Sequence, residues 1–482
     1  MSLFRPAFAV LGLILVILAL LMLLPLVLII TGEAPNSTVF LISAAVTAVT
    51  GLMLYFFNRG TLRHLTTRKV FMITATNWIG VAAFAGIPFH LSHIHLSITD
   101  AVFESVSGIT TTGSTVLSGL DGLPRDILLW RSIAQWLGGI GIVAMAIVIL
   151  PFLRVGGMRL FKSESSDWSD KATPQIRVQL QYLVIVYLIL SVLCMSYYWA
   201  CGMTFFDAVN HAMTTLSTGG YSTHDSSIGY YHSSPLLWGS VLFMALSGMP
   251  FMIYVHFIIN RRLSFSVDAQ VKFYCQLLCI AGIVTGVYLY FTEPMNFTTA
   301  LLHGFLNTTS IMTTTGYVST DYGKWGAGAL AIFFFLTFVG GCSGSTSGGI
   351  KVFRFQLFWL YLKEQFVRSV HPNAIITLEY NNRRVTEDVI KSSIAFMYMA
   401  MWSYAVITII LSICGLDLVT STTAALTALM NVGPGLGDIV GPAGNFQSLP
   451  DVAKWVLSFG MLLGRLEYLT LYVLLTPMYW RN

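Results

Sequence analysis

Four short clusters of Gly with Thr, Ser or Asn recur along this chain, each between a short apolar stretch and a segment of membrane length. They are Thr110-Thr111-Thr112-Gly113, Ser217-Thr218-Gly219-Gly220, Thr313-Thr314-Thr315-Gly316 and Asn431-Val432-Gly433. The glycines Gly113, Gly219, Gly316 and Gly433 stand 106, 97 and 117 residues apart. A repeat of roughly a hundred residues implies similar units around a common axis. Gly- and Thr-rich backbone at membrane depth persists only where it is buried in protein or lines a water path. Four such strands around one axis would present rings of carbonyl oxygens, which is how a dehydrated alkali cation is held. One cluster alone has a plainer reading, because Gly and Thr let transmembrane helices approach closely. Four clusters at the same place in four units weigh against it.

Composition sets the class. Of 482 residues, 55% are hydrophobic and 10% charged, whereas a soluble domain carries about 25% charged residues. Ala7 to Thr31 hold no charge. That run is too long for a signal-peptide core and lacks an obvious small-residue cleavage site, so a retained membrane helix is expected. The six cysteines show no paired metal spacing and mostly lie in apolar segments, where Cys acts as a small hydrophobe. The net charge of +5 comes from basic residues scattered over separate loops, so no nucleic-acid partner is implied.

Ten segments are long enough to cross a hydrocarbon core of about 30 Å, which takes roughly 20 apolar residues. They run 7–31, 37–58, 69–90, 126–152, 179–201, 236–260, 271–291, 326–362, 390–415 and 452–479. Ten crossings place both termini on one side. Of the 26 Lys and Arg, 21 fall on that side, which marks it as cytoplasmic. The apolar segments near 100–112, 206–218, 298–315 and 420–431 are too short to cross, and each ends at one of the clusters. They fit half-helices that enter from outside and stop at mid-membrane. Each would aim a carbonyl end, equivalent to about half a negative charge, at the centre of the bilayer. The predicted architecture is an all-α polytopic membrane protein. Four pseudo-symmetric repeats of span, half-helix, filter strand and span surround one pore, and an N-terminal helix pair stands outside them. The expected divisions are 1–65 for the helix pair and 66–160, 161–265, 266–370 and 371–482 for the pore repeats.

The clusters, taken with two further stretches, carry a resemblance. One is Gly340-Gly341-Cys342-Ser343-Gly344-Ser345-Thr346-Ser347-Gly348-Gly349-Ile350-Lys351, and the other is Leu463-Gly464-Arg465-Leu466-Glu467. Together these resemble the TrkH branch of the Trk/Ktr/HKT superfamily of potassium-translocating membrane proteins, over essentially the whole chain. The resemblance implies potassium as the transported and filter-bound ion and no nucleotide on this chain. It implies a homodimer among membrane lipids in the bacterial inner membrane, regulated by a cytosolic nucleotide-binding ring of the TrkA type. The filter residues carried over are Thr111, Thr112, Gly113, Ser217, Thr218, Gly219, Thr314, Thr315, Gly316, Asn431, Val432 and Gly433. Relatives with Ser at the place of Gly113 are associated with sodium permeation, so four glycines favour potassium. The fourth strand departs from the Thr-Gly pattern, which makes the four strands unequal.

The eighth span suggests where the pore closes. As one helix, 326–362 would be about 55 Å long at 1.5 Å per residue, well beyond the bilayer core. The Gly- and Ser-rich stretch is therefore expected to break it below the filter. Gly340, Gly341, Ser343, Gly344, Ser345, Gly348 and Gly349 are its gate candidates, with Arg465 at similar depth. An intramembrane Arg faces a partner or a cavity, so a pair with Glu467 or a carbonyl is the alternative to a barrier role.

Other polar groups are weaker candidates. His90, His93 and His95 lack a carboxylate or Cys to complete a zinc site and read as an interfacial cap. Glu104, Asn210 and Asn307 each stand nine residues before a filter glycine and are expected to brace the half-helices. Asp100, Asp121, Asp207, Asp225 and Asp321 would make the outer mouth attractive to cations. Two rival classes remain. No nucleophile-base set or phosphate loop supports an enzyme. An alternating-access symporter coupled to protons or sodium would use inverted repeats, whereas these four units enter from one side.

Overall fold

A bilayer core offers the backbone no hydrogen-bond partner but itself, so long apolar runs become helices. The computed structural model describes residues 3–60, 66–148, 172–260, 268–374, 376–381 and 383–481. Among these, seven helices are long and apolar enough to cross a membrane, and nine if two bent pairs each count as one span. The eighth expected span, 326–362, is interrupted. Ala327–Thr337 and Val352–Val370 are separate helices, with the Gly/Ser-rich stretch as irregular backbone between them. The expected repeat boundaries near 65, 160 and 265 lie at or within stretches outside the described residues, as does most of the basic loop 154–177.

The N-terminal pair, Phe4–Leu21 and Ser37–Asn58, packs at glycine level. A Cβ on Gly12 would lie 2.5 Å from the Gly51 carbonyl oxygen, so only Gly permits this approach. Against this pair stands Thr67–Ala85, which opens the first repeat. Four short helices follow the expected pattern: Ile98–Ile109, Phe205–Leu216, Phe297–Met312 and Leu418–Met430. Side chains start three of them. Ser97, Thr204 and Asp417 accept backbone N–H groups of Asp100, Asp207 and Thr420, satisfying donors the first turn leaves unpaired.

Two spans expected to be continuous are sharply bent. Ser234–Ser247 and Phe251–Ile259 meet at 84° around Pro250, which lacks an N–H and clashes with the preceding turn. The broken ends are not left unpaired: the Gly344 carbonyl accepts Phe251 N–H at 2.9 Å, and the Gly248 carbonyl accepts Cys342 N–H at 2.8 Å. The last span breaks between Asp451–Arg465 and Tyr468–Leu475 at 114°, with no Pro or Gly at the corner. Glu467 takes φ 61 there and pairs with Arg354 at 2.9 Å. A tertiary ion pair thus holds a backbone corner that local sequence does not announce.

Candidate ion-conduction site

Each half-helix ends in a residue of left-handed backbone. Thr111, Thr218, Thr314 and Asn431 have φ of 52, 52, 58 and 55°. Two residues further on, Gly113, Gly220, Gly316 and Gly433 are left-handed again, at 88, 73, 80 and 100°. Asn tolerates this region, but a β-branched Thr is a genuine outlier, costing about 1–2 kcal/mol. Three repeats accept that cost at the same position, and strain of this kind gathers at functional sites. An ordinary strand points its carbonyls alternately to opposite sides. Alternating the hand of the backbone turns them to one side, as a cation site built from main chain requires.

The four strands close into a ring. A Cβ on Gly113 would stand 2.2 Å from the Gly219 oxygen, one on Gly220 1.8 Å from the Thr315 oxygen, and one on Gly316 2.2 Å from the Val432 oxygen. One on Gly433 would stand 2.9 Å from the Thr112 oxygen, which returns to the first strand. Each glycine therefore lets its strand touch the carbonyl that precedes the next strand's glycine.

This ring corrects the register of the second strand. Gly219, aligned by sequence with the filter glycines, occupies the place of Thr112, Thr315 and Val432. Gly220 is the left-handed glycine, and Ser217 takes the helix-end position of Thr110 and Thr313. Two adjacent glycines left the register ambiguous, and the left-handed Thr218 resolves it.

The same shift moves the bracing residue. Glu104 accepts from Thr115 Oγ1 and Val116 N–H, both at 3.0 Å, and Asn307 accepts Ser319 N–H at 3.1 Å. In the second repeat this work falls to His211, whose Nε2 lies 2.9 Å from Ser222 Oγ. Asn210 only donates back to the Phe206 carbonyl of its own helix. His211 stands nine residues before Gly220, so a correct register would have found it. In the fourth repeat Thr427 donates to the Gly433 carbonyl at 3.0 Å.

Above the ring lies a cavity of about 90 Å³ lined by Gly113, Gly220, Gly316 and Gly433, with Arg131 and His224 at its wall. The aspartates proposed for the outer mouth are engaged rather than free. Asp100 pairs with Lys454 at 2.6 Å, Asp321 with Lys324 at 3.4 Å, and Asp225 accepts Leu120 N–H at 3.1 Å. His224 bonds to Asp121, faces Asp207 at 3.7 Å and stacks on Tyr230. Burial works against its imidazolium, but the carboxylates of Asp207 and Asp121 prevail and raise its pKa above the ordinary value. The outer histidines serve structure. His90 bonds to the Leu96 carbonyl and His93 to Asn36. Among the described residues no three His, Cys, Asp or Glu form a metal-binding group.

Beneath the ring sits the interrupting loop. Gly340 N–H bonds to the Ile350 carbonyl at 2.9 Å, which draws its two ends together. Gly341 N–H meets Ser347 Oγ, Ser343 N–H meets Gln270 Oε1, and Ser345 Oγ donates to the Cys342 carbonyl. At the top, Gly348 N–H donates to Thr314 Oγ1 at 2.6 Å and Gly349 N–H to the Met430 carbonyl at 2.8 Å. Thr346 Oγ1 donates to the Leu216 carbonyl at 3.0 Å. The loop thus caps the ends of the second and fourth half-helices and touches the third Thr/Gly strand. Arg465 is buried and donates from Nη2 to the Thr346 carbonyl at 2.7 Å, while Lys351 reaches the Ser347 carbonyl. Arg465 therefore has a carbonyl partner on this loop; Glu467 belongs to Arg354.

Residues 36–482 match the family model described as "TrkH: Cation transport protein". This chain belongs to the TrkH family. It is 44% identical over 478 residues to the Trk system potassium uptake protein TrkI of Halomonas elongata, covering 99% of this chain and 97% of that one. It is 34% identical to the Trk system potassium uptake protein TrkH of Escherichia coli K12, over 94% of this chain and 93% of that one. Its fold matches the crystal structure of the potassium transporter TrkH from Vibrio parahaemolyticus with a TM-score of 0.92 and 33% identity. That match covers 99% of this chain and 100% of the other. This TrkH-family chain is accordingly a multi-pass membrane protein of a cation-transport family.

Proposed function

We propose that this chain takes up potassium across the bacterial inner membrane, through a selectivity filter formed by the four Thr/Gly strands. The observation that carries the reading is the closed ring of strands, each with the same alternation of left-handed residues. Relatives named as Trk system potassium uptake proteins supply the ion. In reconstituted vesicles the chain should pass potassium and its close analogue rubidium well ahead of sodium. Equal passage of sodium would refute the assignment. Flux that requires a co-ion gradient and saturates steeply would favour the symporter instead.

The loop from Gly340 to Gly349, with Arg465 bonded to its Thr346 carbonyl, acts in this reading as the gate. Deleting Gly344–Gly348 should raise basal potassium flux in folded, membrane-inserted protein by tenfold or more, because it removes the loop's bonds to Thr314 and Leu216 at the ends of the third and second half-helices. Flux at or below that of the unaltered chain would remove the loop from the gating role.

The excess of Lys and Arg on the side of the termini supports a cytoplasmic position for both. A second copy of the chain and a nucleotide-binding ring of the TrkA type complete the proposed assembly. The ring would dock on the charged loops 154–177 and 363–391. No dinucleotide or phosphate-loop fingerprint occurs in this sequence. Nucleotide should therefore bind the ring and leave the isolated chain untouched in a calorimetric titration. Saturable nucleotide binding by the chain alone would overturn that division of labour.

A further inference from the structure

One side chain treats the second filter strand differently from the other three. Gln135 lies on the helix Arg125–Val148 and is fully buried. Its Nε2 donates to the Gly219 carbonyl at 2.7 Å, and its Oε1 accepts Tyr221 N–H at 3.0 Å. The primary amide thus spans Gly220 as a neighbouring β-strand would, taking one acceptor and one donor of the strand. It fits closely, since a Cβ on Gly219 would stand 2.4 Å from Gln135 Cδ.

Gly219 holds the position of Thr112, Thr315 and Val432 in the ring. Among the described residues, the carbonyls of those three accept no side-chain amide. Sequence gives no hint of this contact, because Gln135 sits on a spanning helix far from the cluster it holds.

The surroundings leave Gln135 little freedom. One turn earlier on the same helix, Arg131 is buried and pairs with Glu104 at 2.8 Å. Arg131 Nη1 donates to the Ser222 carbonyl and Nη2 to Thr115 Oγ1, at 3.2 and 3.1 Å. Its guanidinium lies 4.0 Å from the centre of the Tyr221 ring, and Tyr221 Oη donates to the Glu104 carbonyl. Arg131 therefore ties the segments after the first and second filter glycines together. Gln135, one turn deeper, holds the second strand at the glycine itself.

We propose that Gln135 is a positioning residue for ion selectivity. It holds the second strand on both sides of Gly220, so that one of the four strands is fixed by the protein before any ion arrives. A strand held at two backbone groups cannot follow a smaller cation inward, so it resists collapse of the ring onto sodium. The inference rests on the reading of the Thr/Gly strands as the filter.

Gln135→Met and Gln135→Glu test it, with Gly113→Ser as reference, all as the full-length chain in vesicles. Methionine keeps the length but offers no N–H to Gly219 and no strong acceptor to Tyr221. It should lower the potassium-to-sodium flux ratio roughly tenfold, with maximal potassium flux changed far less. Glutamic acid can donate an O–H to Gly219 and accept from Tyr221, whereas glutamate can only accept. The ratio of Gln135→Glu should accordingly rise toward that of the unaltered chain as pH falls, a dependence that Gln135→Met lacks. A side chain that merely filled space would not respond in that way.

If Gly113→Ser lowers the ratio and folded Gln135→Met leaves it unchanged, the role of Gln135 is refuted while the filter stands. If Gly113→Ser also leaves it unchanged, the filter assignment fails, and the inference with it. Failure of both Gln135 variants to fold would assign the residue to the scaffold and overturn the proposal.

Discussion

Gly220→Ser is expected to lower the potassium-to-sodium flux ratio tenfold or more, with Gly113→Ser close behind. A Cβ on Gly220 would lie 1.8 Å from the Thr315 oxygen, and one on Gly113 would lie 2.2 Å from the Gly219 oxygen. Both contacts are backbone, so the adjoining filter strand must move by about an ångström to reach van der Waals distance. Both residues also sit in left-handed backbone, where an L side chain costs about 1–2 kcal/mol. Overpacking of this kind typically costs about 1–3 kcal/mol. A difference of about 1.4 kcal/mol between two permeation barriers is a tenfold change in their ratio. The measurement is paired potassium and sodium flux in vesicles at matched protein density. An unchanged ratio for folded Gly220→Ser would return the filter position to Gly219, as the sequence alignment had it.

Arg465→Ala should increase potassium flux while leaving the flux ratio intact, because the residue lies below the filter. Two effects add. At an effective dielectric of about 20, a unit charge ~6 Å from a passing cation contributes on the order of 3 kcal/mol before screening. Water in the pathway reduces this, but a remainder of about 1.4 kcal/mol still changes the rate tenfold. The substitution also removes the 2.7 Å bond to the Thr346 carbonyl, which frees one anchor of the loop. Arg465→Lys should change flux less, since the charge stays and only the planar fork is lost. Unchanged flux in folded Arg465→Ala would make the residue a structural clasp. A raised flux with a lower potassium-to-sodium ratio would place it in the filter's support.

The wrong alignment of the second strand shows where linear reading stops. Gly219 and Gly220 are chemically identical, so nothing local decides which one turns left-handed. The choice is made by the ring, in which Gly219 offers its carbonyl to Gly113 and Gly220 approaches Thr315. Asn210 and His211 exchanged roles for the same reason. The bend at Glu467 is another case. Its left-handed φ is held by Arg354, more than a hundred residues earlier in the chain, and neither residue alone signals a corner.

Sequence alone determined the class, the set of long apolar helices, the four short helices before the Gly/Thr clusters and the break in the eighth span. These follow from chain-local physics: apolar length against bilayer thickness, charge between spans, and Gly-rich backbone that cannot continue a long helix. Tertiary structure decided which glycine of a pair enters the ring, which polar residue braces each strand, and what Arg465 and Gln135 hold. Those outcomes depend on distances between segments remote in sequence, and a buried donor or acceptor takes whichever partner the packing brings within about 3 Å.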